Sequence, residues 1–535
     1  MVTRSISVTM DSEDVFNGYQ MKVDMRKKCV VLAVVLCGAM SSYAQVCQPE
    51  GMAFRVKEEA FNRSQVEDLS QFMTDELGPR LAGSQMSERA ERLVVGRLKE
   101  WGLANPRAEV ASEYPKGGWD NEKNYVAMTF PYYCSFAANP KAWSGSTDGL
   151  VKGECMALDV KTESDLEKYR GKLAGKIVLM PVQQEYQISY EPLASRYTDA
   201  QLQRMTQDRR PGKRRRASDG EDWKAMQELQ NAVSLFLKSE NVLAVVCGGG
   251  TFNVPTSRRV EYKVGDSQPV PEIILPIEDH GRMVRLLNRG KKVEMELDIQ
   301  NRFTETRHVN NVIAEIPGCD SKLKNEVVLI GAHLDSWHGG TGGADNASGC
   351  IVMMEAMRIL RALDISPRRT IRLALWGAEE QGYYGSRGYA SKYLYDSKKG
   401  SALPGYDQFA LYLNMDFGSG RFRGVYLEEN DQAVPFFETW MKPFKSLGFT
   451  TLSPFKVGST DHVSFSVLGL PAYQFIQDPL EYDRTYHTTM DTYERLSLED
   501  LKVNAAIVAW LALNAAMDDN RIPAKPGYPE AYSRR

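Results

Sequence analysis

Residues 327–335 read Val-Val-Leu-Ile-Gly-Ala-His-Leu-Asp, an apolar run that ends in a histidine and an acid. A run of this kind predicts a buried strand of a parallel sheet. Further acids and a second histidine follow other predicted strands or lie in the connecting loops: Asp345, Glu379, Glu380, Asp416 and His487. Because an open parallel sheet gathers its ligand-binding residues at the carboxyl ends of its strands, we expect these side chains to converge there.

The types of residue in this set point to metal chemistry. Imidazole nitrogens and carboxylate oxygens are ligands that zinc takes in proteins. Two histidines, His333 and His487, and three carboxylates are too few for two separate sites, but they suffice for two zinc ions that share a bridging carboxylate. A single acid or histidine at a strand end is more commonly a cap or a solvated residue. The joint pattern therefore favours a two-metal hydrolase.

Strands and helices alternate along the chain after residue 308. The predicted strands are 310–316, 327–331, 371–376, 410–414 and 472–476, and the predicted helices are 347–363, 386–395, 434–447 and 498–517. This alternation predicts an α/β fold with a mostly parallel, mixed sheet sandwiched by helices. Between residues 145 and 300 the pattern changes to strands and turns, which predicts a β-rich inserted domain.

The order of the candidate residues carries a resemblance. His-x-Asp, Asp, Glu-Glu, Asp and His, with His-Thr-Thr-Met-Asp-Thr at 487–492, resembles the co-catalytic zinc aminopeptidase and glutamate carboxypeptidase family of the MH clan. The segment 333–337, His-Leu-Asp-Ser-Trp, is most similar to the plasma glutamate carboxypeptidase branch. Residues 77–84, Leu-Gly-Pro-Arg-Leu-Ala-Gly-Ser, are similar to the family's opening segment. The resemblance covers about residues 51–518 and implies a phosphorylase/hydrolase-like zinc exopeptidase fold.

The resemblance also implies which residues hold the two zinc ions. His333 and Asp416 would bind one ion. Glu380 and His487 would bind the other, and Asp345 would bridge them.

The remaining site residues would act around these ligands. Neighbouring strand residues point to opposite sides, so Glu379 and Glu380 cannot do the same job, and the family pattern makes Glu379 the general base. Asp335, two residues after His333, is expected to be the carboxylate that fixes the tautomer of that ring. His462 falls where family members place polar residues beside the substrate, and substrate contact and packing both stay open for it.

The implied reaction is hydrolysis of short peptides by attack of a metal-bridging water. Zinc lowers the pKa of a bound water to about 7, and a carboxylate such as Glu379 can take its proton and pass it to the leaving amine. Aminopeptidase and dipeptidase activity both stay open, because residues 333–337 favour the second and residues 487–492 the first. The alternatives are a glutaminyl cyclase-like acyltransferase and a catalytically silent binding or receptor protein on the same scaffold.

The insert carries a resemblance of its own. Its segments 175–179 (Gly-Lys-Ile-Val-Leu), 242–246 (Val-Leu-Ala-Val-Val) and 271–273 (Pro-Glu-Ile) resemble strands of the protease-associated domain, which commonly borders the active-site cleft of its host. The expected domains are an N-terminal extension with a signal peptide (1–44), a discontinuous zinc peptidase domain (45–144 and 301–518), the protease-associated insert (145–300) and a C-terminal tail (519–535).

The N-terminus predicts export. Met-Arg-Lys-Lys at 25–28 precedes an apolar stretch at 29–40 and then Ser-Tyr-Ala at 42–44, as in a cleaved signal peptide. The apolar stretch is shorter than the roughly 20 residues that span a bilayer, so we expect a periplasmic or secreted protein without a stable membrane anchor. A net charge of −3 gives no electrostatic reason to expect that the protein binds nucleic acid. The expected partners are short peptide substrates, with a homodimer left open.

Overall fold

A computed structural model of the chain describes residues 49–181, 186–207, 217–251 and 253–525. The predicted signal peptide and the end of the predicted tail, residues 526–535, lie outside these ranges. The described residues from Glu59 to Lys525 belong to one compact unit. Of the preceding unit, the described part is the beginning of helix α1, Pro49–Asn62.

The first of two large sheets has eight strands. They are β1 (Ala104–Glu113), β10 (His308–Ile316), β11 (Val327–His333), β12 (Thr370–Trp376), β15 (Phe409–Asn414), β16 (Phe422–Tyr426), β17 (Thr451–Ser453) and β18 (Ala472–Gln477). They lie in the order β1-β10-β12-β11-β15-β18-β16-β17. The four central strands β12, β11, β15 and β18 run parallel, while β1, β10 and β16 pair antiparallel with their neighbours towards the centre. The predicted mixed, mostly parallel sheet is confirmed.

Helices flank this sheet. They are α2 (Val66–Gln71), α3 (Gln85–Glu100), α7 (Ser348–Ala362), α8 (Tyr384–Tyr393), α9 (Pro404–Asp407), α10 (Val434–Trp440), α11 (Val463–Ser466), α12 (Tyr482–Thr485) and α13 (Leu498–Met517). The single helix expected at 434–447 is divided, because α10 ends at Trp440 and a 3-10 helix with Pro443 near its beginning continues as Lys442–Leu447. A small hairpin of β13 (Tyr395–Asp396) and β14 (Ser401–Ala402) follows α8.

Helix α13 is long and apolar enough to cross a membrane by length and composition, and most of it is buried inside the protein. It packs against α7 and β11. Residues such as Leu501, Ile507 and Leu511 have almost no exposed surface. We therefore interpret α13 as the core helix behind the first sheet.

The second sheet also has eight strands. They are β2 (Gly118–Phe130), β3 (Cys134–Ser135), β4 (Asn139–Pro140), β5 (Val151–Ala157), β6 (Ile177–Leu179), β7 (Ala244–Gly248), β8 (Glu272–Leu275) and β9 (Glu294–Thr304). Their order is β3-β2-β9-β5-β6-β7-β8-β4, with β5 to β8 parallel. Helices α4 (Asp199–Met205), α5 (Ala217–Ser239) and α6 (Ile277–Asn288) belong to this part of the chain.

The second sheet begins earlier than the expected boundary at residue 145. Strand β2 pairs with β9 along most of its length, from Gly118 opposite Thr304 to Phe130 opposite Glu294. Nothing in the sequence near β2 says which of the two sheets this strand joins. An apolar cluster that includes Trp119, Trp143 and Trp337 packs where the two sheets approach each other.

Candidate metal centre

The candidate residues converge at the carboxyl edge of the first sheet. Strand β11 ends at His333, and Asp416 lies two residues beyond the end of β15. Glu379 and Glu380 follow β12 after a short turn. Because these three strands are parallel neighbours, their ends meet at one place. A π-helical turn directly before α7, Gly343–Ala347, adds Asp345, and a loop before α13 adds His487.

One group of possible ligands is buried. The His333 Nε2 atom lies 3.1 Å from Asp345 Oδ1 and 2.9 Å from Asp416 Oδ1. All three residues are buried, and the candidate ligand atoms lie within 4.8 Å of one another. The carboxylate of Asp416 also accepts a hydrogen bond of 3.1 Å from the Asn346 side chain.

A second group shares Asp345 with the first. The His487 Nε2 atom lies 3.0 Å from Asp345 Oδ2 and 3.0 Å from Glu380 Oε2. The Trp337 indole donates a hydrogen bond of 2.7 Å to the same Glu380 oxygen. Asp345 thus turns one carboxylate oxygen to each histidine, which is the arrangement that a bridging ligand needs.

The charges of these groups fit metal ions. Burial, and then the nearby Asp345, raises the pKa of Glu380 to about 7. Burial also raises the pKa of Glu379 well above its ordinary value, and Asp416 and Asp461 add to this increase. Burial lowers the pKa of His487, but Asp345 and Glu380 outweigh burial and bring it to about 11. The site therefore concentrates buried carboxylates that a cation would stabilise in their ionised form.

Asp335 supports the site through two different atoms. Its main-chain carbonyl accepts a hydrogen bond of 2.9 Å from His333 Nδ1, which leaves Nε2 to face the carboxylates. The Asp335 carboxylate, expected to perform this task, lies 3.6 Å from that nitrogen. It accepts hydrogen bonds from the main-chain N–H groups of Glu379 at 3.0 Å and Glu380 at 3.3 Å. The carboxylate thus fixes the Glu379–Glu380 turn, while the carbonyl fixes the tautomer of the ring.

Asp491 also positions the site, and it was not selected from the sequence. Its two carboxylate oxygens accept hydrogen bonds from the main-chain N–H groups of Ala344 at 2.6 Å and Asp345 at 3.1 Å. This holds the turn that carries the shared carboxylate. The sequence did contain an indication of this role, because Asp491 is the acid of the segment 487–492 that also supplies His487.

Arg80 is the second positioning residue that was missed. It is completely buried, and its guanidinium donates to the carbonyls of Leu334, Thr341 and Gly342 at 2.7, 2.8 and 3.0 Å. These carbonyls belong to the loop between His333 and Asp345. The opening segment 77–84 therefore acts on the site through Arg80.

Glu379 faces a cavity of about 620 Å³ together with possible ligands from both groups. Tyrosines form much of the remaining wall: Tyr197, Tyr383, Tyr426, Tyr482 and Tyr486. Glu379 itself is buried. Its carboxylate belongs to neither of the two ligand groups, so it is available for proton transfer.

His462 does not line this cavity among the described residues; Ser459 does. The His462 side chain is completely buried, with its Nε2 atom 3.1 Å from Glu428 Oε1. Of the two interpretations left open for this residue, the geometry favours packing.

The other histidines lie away from the ligand groups. His338 is buried between the sheets, where its Nε2–H donates to the Pro140 carbonyl at 2.6 Å. Burial lowers the pKa of His338 to about 4. His280 is buried in α6, and His308 is exposed at the beginning of β10.

Comparison with known proteins agrees with this geometry. Residues 311–512 match the model of peptidase family M28. We call this part of the chain the M28 domain after that match. The chain is 27% identical over 455 residues to carboxypeptidase Q of Mus musculus, and the match covers 84% of this chain and 85% of that protein.

Two solved structures have a fold similar to that of most of this chain. A peptidase M28 precursor from Shewanella amazonensis matches with a TM-score of 0.62 at 24% identity, over 89% of this chain and 99% of that one. A zinc aminopeptidase from Bacillus subtilis matches with a TM-score of 0.54 at 18% identity, over 85% of this chain and 96% of that one. At these identities the likeness is one of fold.

Proposed function

We propose that the protein is an exported di-zinc exopeptidase that cleaves short peptides as an aminopeptidase or a dipeptidase. One observation carries this proposal: two groups of possible ligands share Asp345 and border the same cavity as Glu379. The similarity to carboxypeptidase Q and the M28 domain support the peptidase chemistry. Export rests on the signal peptide predicted from the sequence.

The proposed ligands follow the two groups. His333, Asp345 and Asp416 would hold one zinc ion, and Asp345, Glu380 and His487 the other. Mixed nitrogen and oxygen donors in these numbers are typical of catalytic zinc, which keeps a coordination position open. When bound, such ions polarise the substrate carbonyl and lower the pKa of water.

Glu379 is the proposed general base. Its main-chain N–H is fixed by Asp335, and its carboxylate lies at the cavity wall beside the ligands. In this position the carboxylate can accept a proton from the attacking water and hold it until the leaving amine takes it.

The size of the cavity supports short substrates. A volume of about 620 Å³ lies within the range of roughly 300–1,000 Å³ that is usual for sites that bind small molecules. A short peptide fits a site of this size, whereas a folded chain does not.

The test is hydrolysis by protein that has been stripped with a chelator and reloaded with zinc. Free-amine dipeptides, N-blocked dipeptides and aminoacyl chromogenic substrates are compared, with Glu379→Gln as the inactive control. Turnover of the aminoacyl substrates indicates an aminopeptidase. Turnover of free-amine dipeptides without turnover of aminoacyl chromogens indicates a dipeptidase. Failure of the zinc-loaded protein to cleave all three classes would contradict the proposal.

A further inference from the structure

We call residues 118–304, which contain the strands of the second sheet, the second-sheet part of the chain. A segment of this part, directly before helix α4, contacts the M28 domain. The main-chain N–H of Ser195 donates to the Leu480 carbonyl at 3.0 Å, and the N–H of Leu480 donates back to the Ser195 carbonyl at 2.8 Å. The N–H of Tyr197 donates to Asp478 Oδ1 at 3.0 Å, and Arg423 donates to the Tyr197 carbonyl at 3.2 Å. These contacts fix residues 195–197 beside the site, and we call these three residues the latch.

Arg196 anchors the latch with two ion pairs. Its guanidinium lies 2.9 Å from Asp478 Oδ2 and 2.7 Å from Asp500 Oδ2. The side chains of Asp478 and Asp500 are only 1% and 2% exposed, whereas that of Arg196 is 48% exposed. The anchor therefore joins a half-exposed cation to two buried anions.

Each buried anion also has a partner within the M28 domain. Arg423 lies 3.1 Å from Asp478, and Arg421 lies 2.9 Å from Asp500. A buried charge that loses all its partners is strongly destabilising, and these two carboxylates keep one each when Arg196 leaves. Arg196 itself returns to water. The contact can therefore open without leaving a buried charge unpaired.

Tyr197 connects the latch with the cavity of the candidate site. Its side chain lines the same cavity as Glu379 and Glu380, and Pro479 and Tyr482, which flank the Leu480 contact, line it as well. Tyr197 belongs to the second-sheet part of the chain, whereas the possible metal ligands belong to the M28 domain. The closed latch thus completes the wall of a cavity that the M28 domain leaves open at this point.

We propose that the latch limits the length of the peptide that the site accepts, and that Tyr197 is the specificity-determining residue. This inference rests on the proposed peptidase function. A dipeptide fits with the latch closed, when Tyr197 forms part of the wall of the cavity that Glu379 also lines. A longer peptide has to displace the Tyr197 ring, so it binds only when the Arg196 ion pairs open.

The test compares a dipeptide with the tetrapeptide that extends it, using the full-length, zinc-loaded protein. Tyr197→Ala is expected to raise the tetrapeptide-to-dipeptide ratio of kcat/KM by about tenfold, mainly through a lower KM for the tetrapeptide. Arg196→Ala is expected to raise the ratio in the same direction, and Tyr197→Phe should keep it near the wild-type value. Tyr190→Ala and Arg204→Ala are the controls, because both side chains are exposed and both residues lie outside the latch.

Two measurements that need no turnover accompany the kinetics. Amide exchange at Ser195 and Leu480 should become faster in Arg196→Ala and not in Arg204→Ala, because the paired N–H groups are released. Calorimetry on zinc-loaded Glu379→Gln should show tighter tetrapeptide binding when Tyr197→Ala is added. If Tyr197→Ala changes neither ratio nor binding relative to Tyr190→Ala while dipeptides are cleaved, the latch proposal alone is overturned. If neither peptide binds or is cleaved, the peptidase proposal fails with it.

Discussion

The two halves of the candidate metal centre are built differently. In the His333–Asp345–Asp416 half, the histidine side chain is 1% exposed, and its ring is fixed by a main-chain carbonyl of the same strand end. In the Asp345–Glu380–His487 half, the histidine side chain is 30% exposed and stands on a loop. The buried half is held by the M28 domain and by Arg80, which binds the loop between His333 and Asp345, while the exposed half has a second source of support.

That second source is the second-sheet part of the chain. The main-chain N–H of Thr256 donates to the His487 carbonyl at 2.8 Å, and Thr489 donates to the Val254 carbonyl at 2.9 Å. Residues 254–256 thus pair with the loop that carries His487. The comparison shows that the second-sheet part of the chain contributes to the site in two ways. Residues 254–256 support His487, a possible ligand, and the latch borders the cavity. We therefore expect the exposed half to lose its metal first.

The largest expected effects separate the two adjacent glutamates. Glu379→Gln should keep two zinc ions and lower kcat by about 10²–10⁴-fold, as for loss of a general base. Glu380→Gln should instead lose zinc from the exposed half, because it removes a ligand charge there. Zinc content and steady-state kinetics of both variants decide this, with Glu438→Gln on the exposed face of α10 as the matched control. Loss of zinc from Glu379→Gln with full occupancy in Glu380→Gln would reverse the assignment.

Chelation should remove the two ions in sequence. Metal leaves more readily where ligands are exposed and can be protonated, so dialysis should pass through a state with about one zinc ion per chain. His487→Ala should start in this state, whereas His333→Ala should not retain its metal in the buried half. The check is zinc analysis of samples taken during dialysis. Simultaneous loss of both ions from the wild type would remove the distinction between the halves.

A smaller effect is expected from the support of His487. Thr256→Pro removes the N–H that binds the His487 carbonyl and should weaken zinc binding in the exposed half by about tenfold, as for other residues that orient ligands. Thr256→Val keeps the N–H and is the control. Competition with a chromogenic chelator measures the affinity. Equal affinities for the two variants would show that residues 254–256 do not position His487.

The smallest effect concerns pH and the metal-free protein. The pKa of Glu380 is raised from 4.5 to about 7, and that of Asp491 from 3.8 to about 7, chiefly by burial. The folded state therefore retains protons that the unfolded chain has lost, so this stabilisation is present below the unfolded pKa values and disappears as the pH rises to about 7. Between pH 4.5 and 7, Tm of the metal-free protein should fall relative to that of the zinc-loaded protein. A constant difference in Tm across this range would contradict the expectation.

The sequence predicted the central strands of the M28 domain well for a physical reason. β11, β12, β15 and β18 are mostly buried, so apolar residues dominate each of them; the polar exceptions include Arg372 in β12 and Gln474 and Gln477 in β18. In a parallel sheet the ends of neighbouring strands meet at one edge, so the acids and histidines that end or follow such strands could be predicted to lie together there. The fold class and the convergence of the candidate ligands were accessible in this way.

The edges of the sheet and the supporting residues were not accessible. Among the described strands, β1 pairs with β10 alone, and none of its residues is fully buried, so it lacks an apolar pattern. Arg80 acts on carbonyls more than 250 residues away in the chain, and no local pattern marks such a contact. The pairing of residues 254–256 with the His487 loop depends in the same way on how the two parts of the chain pack.

The most direct test of the account is a zinc titration of the chelated protein, with bound metal and peptide hydrolysis measured in the same samples. Two zinc ions per chain shared through Asp345 are predicted, with full activity only when the second ion is bound. Asp345→Asn should lose this stoichiometry. Full hydrolytic activity at one zinc ion per chain, or with none bound, would contradict the account.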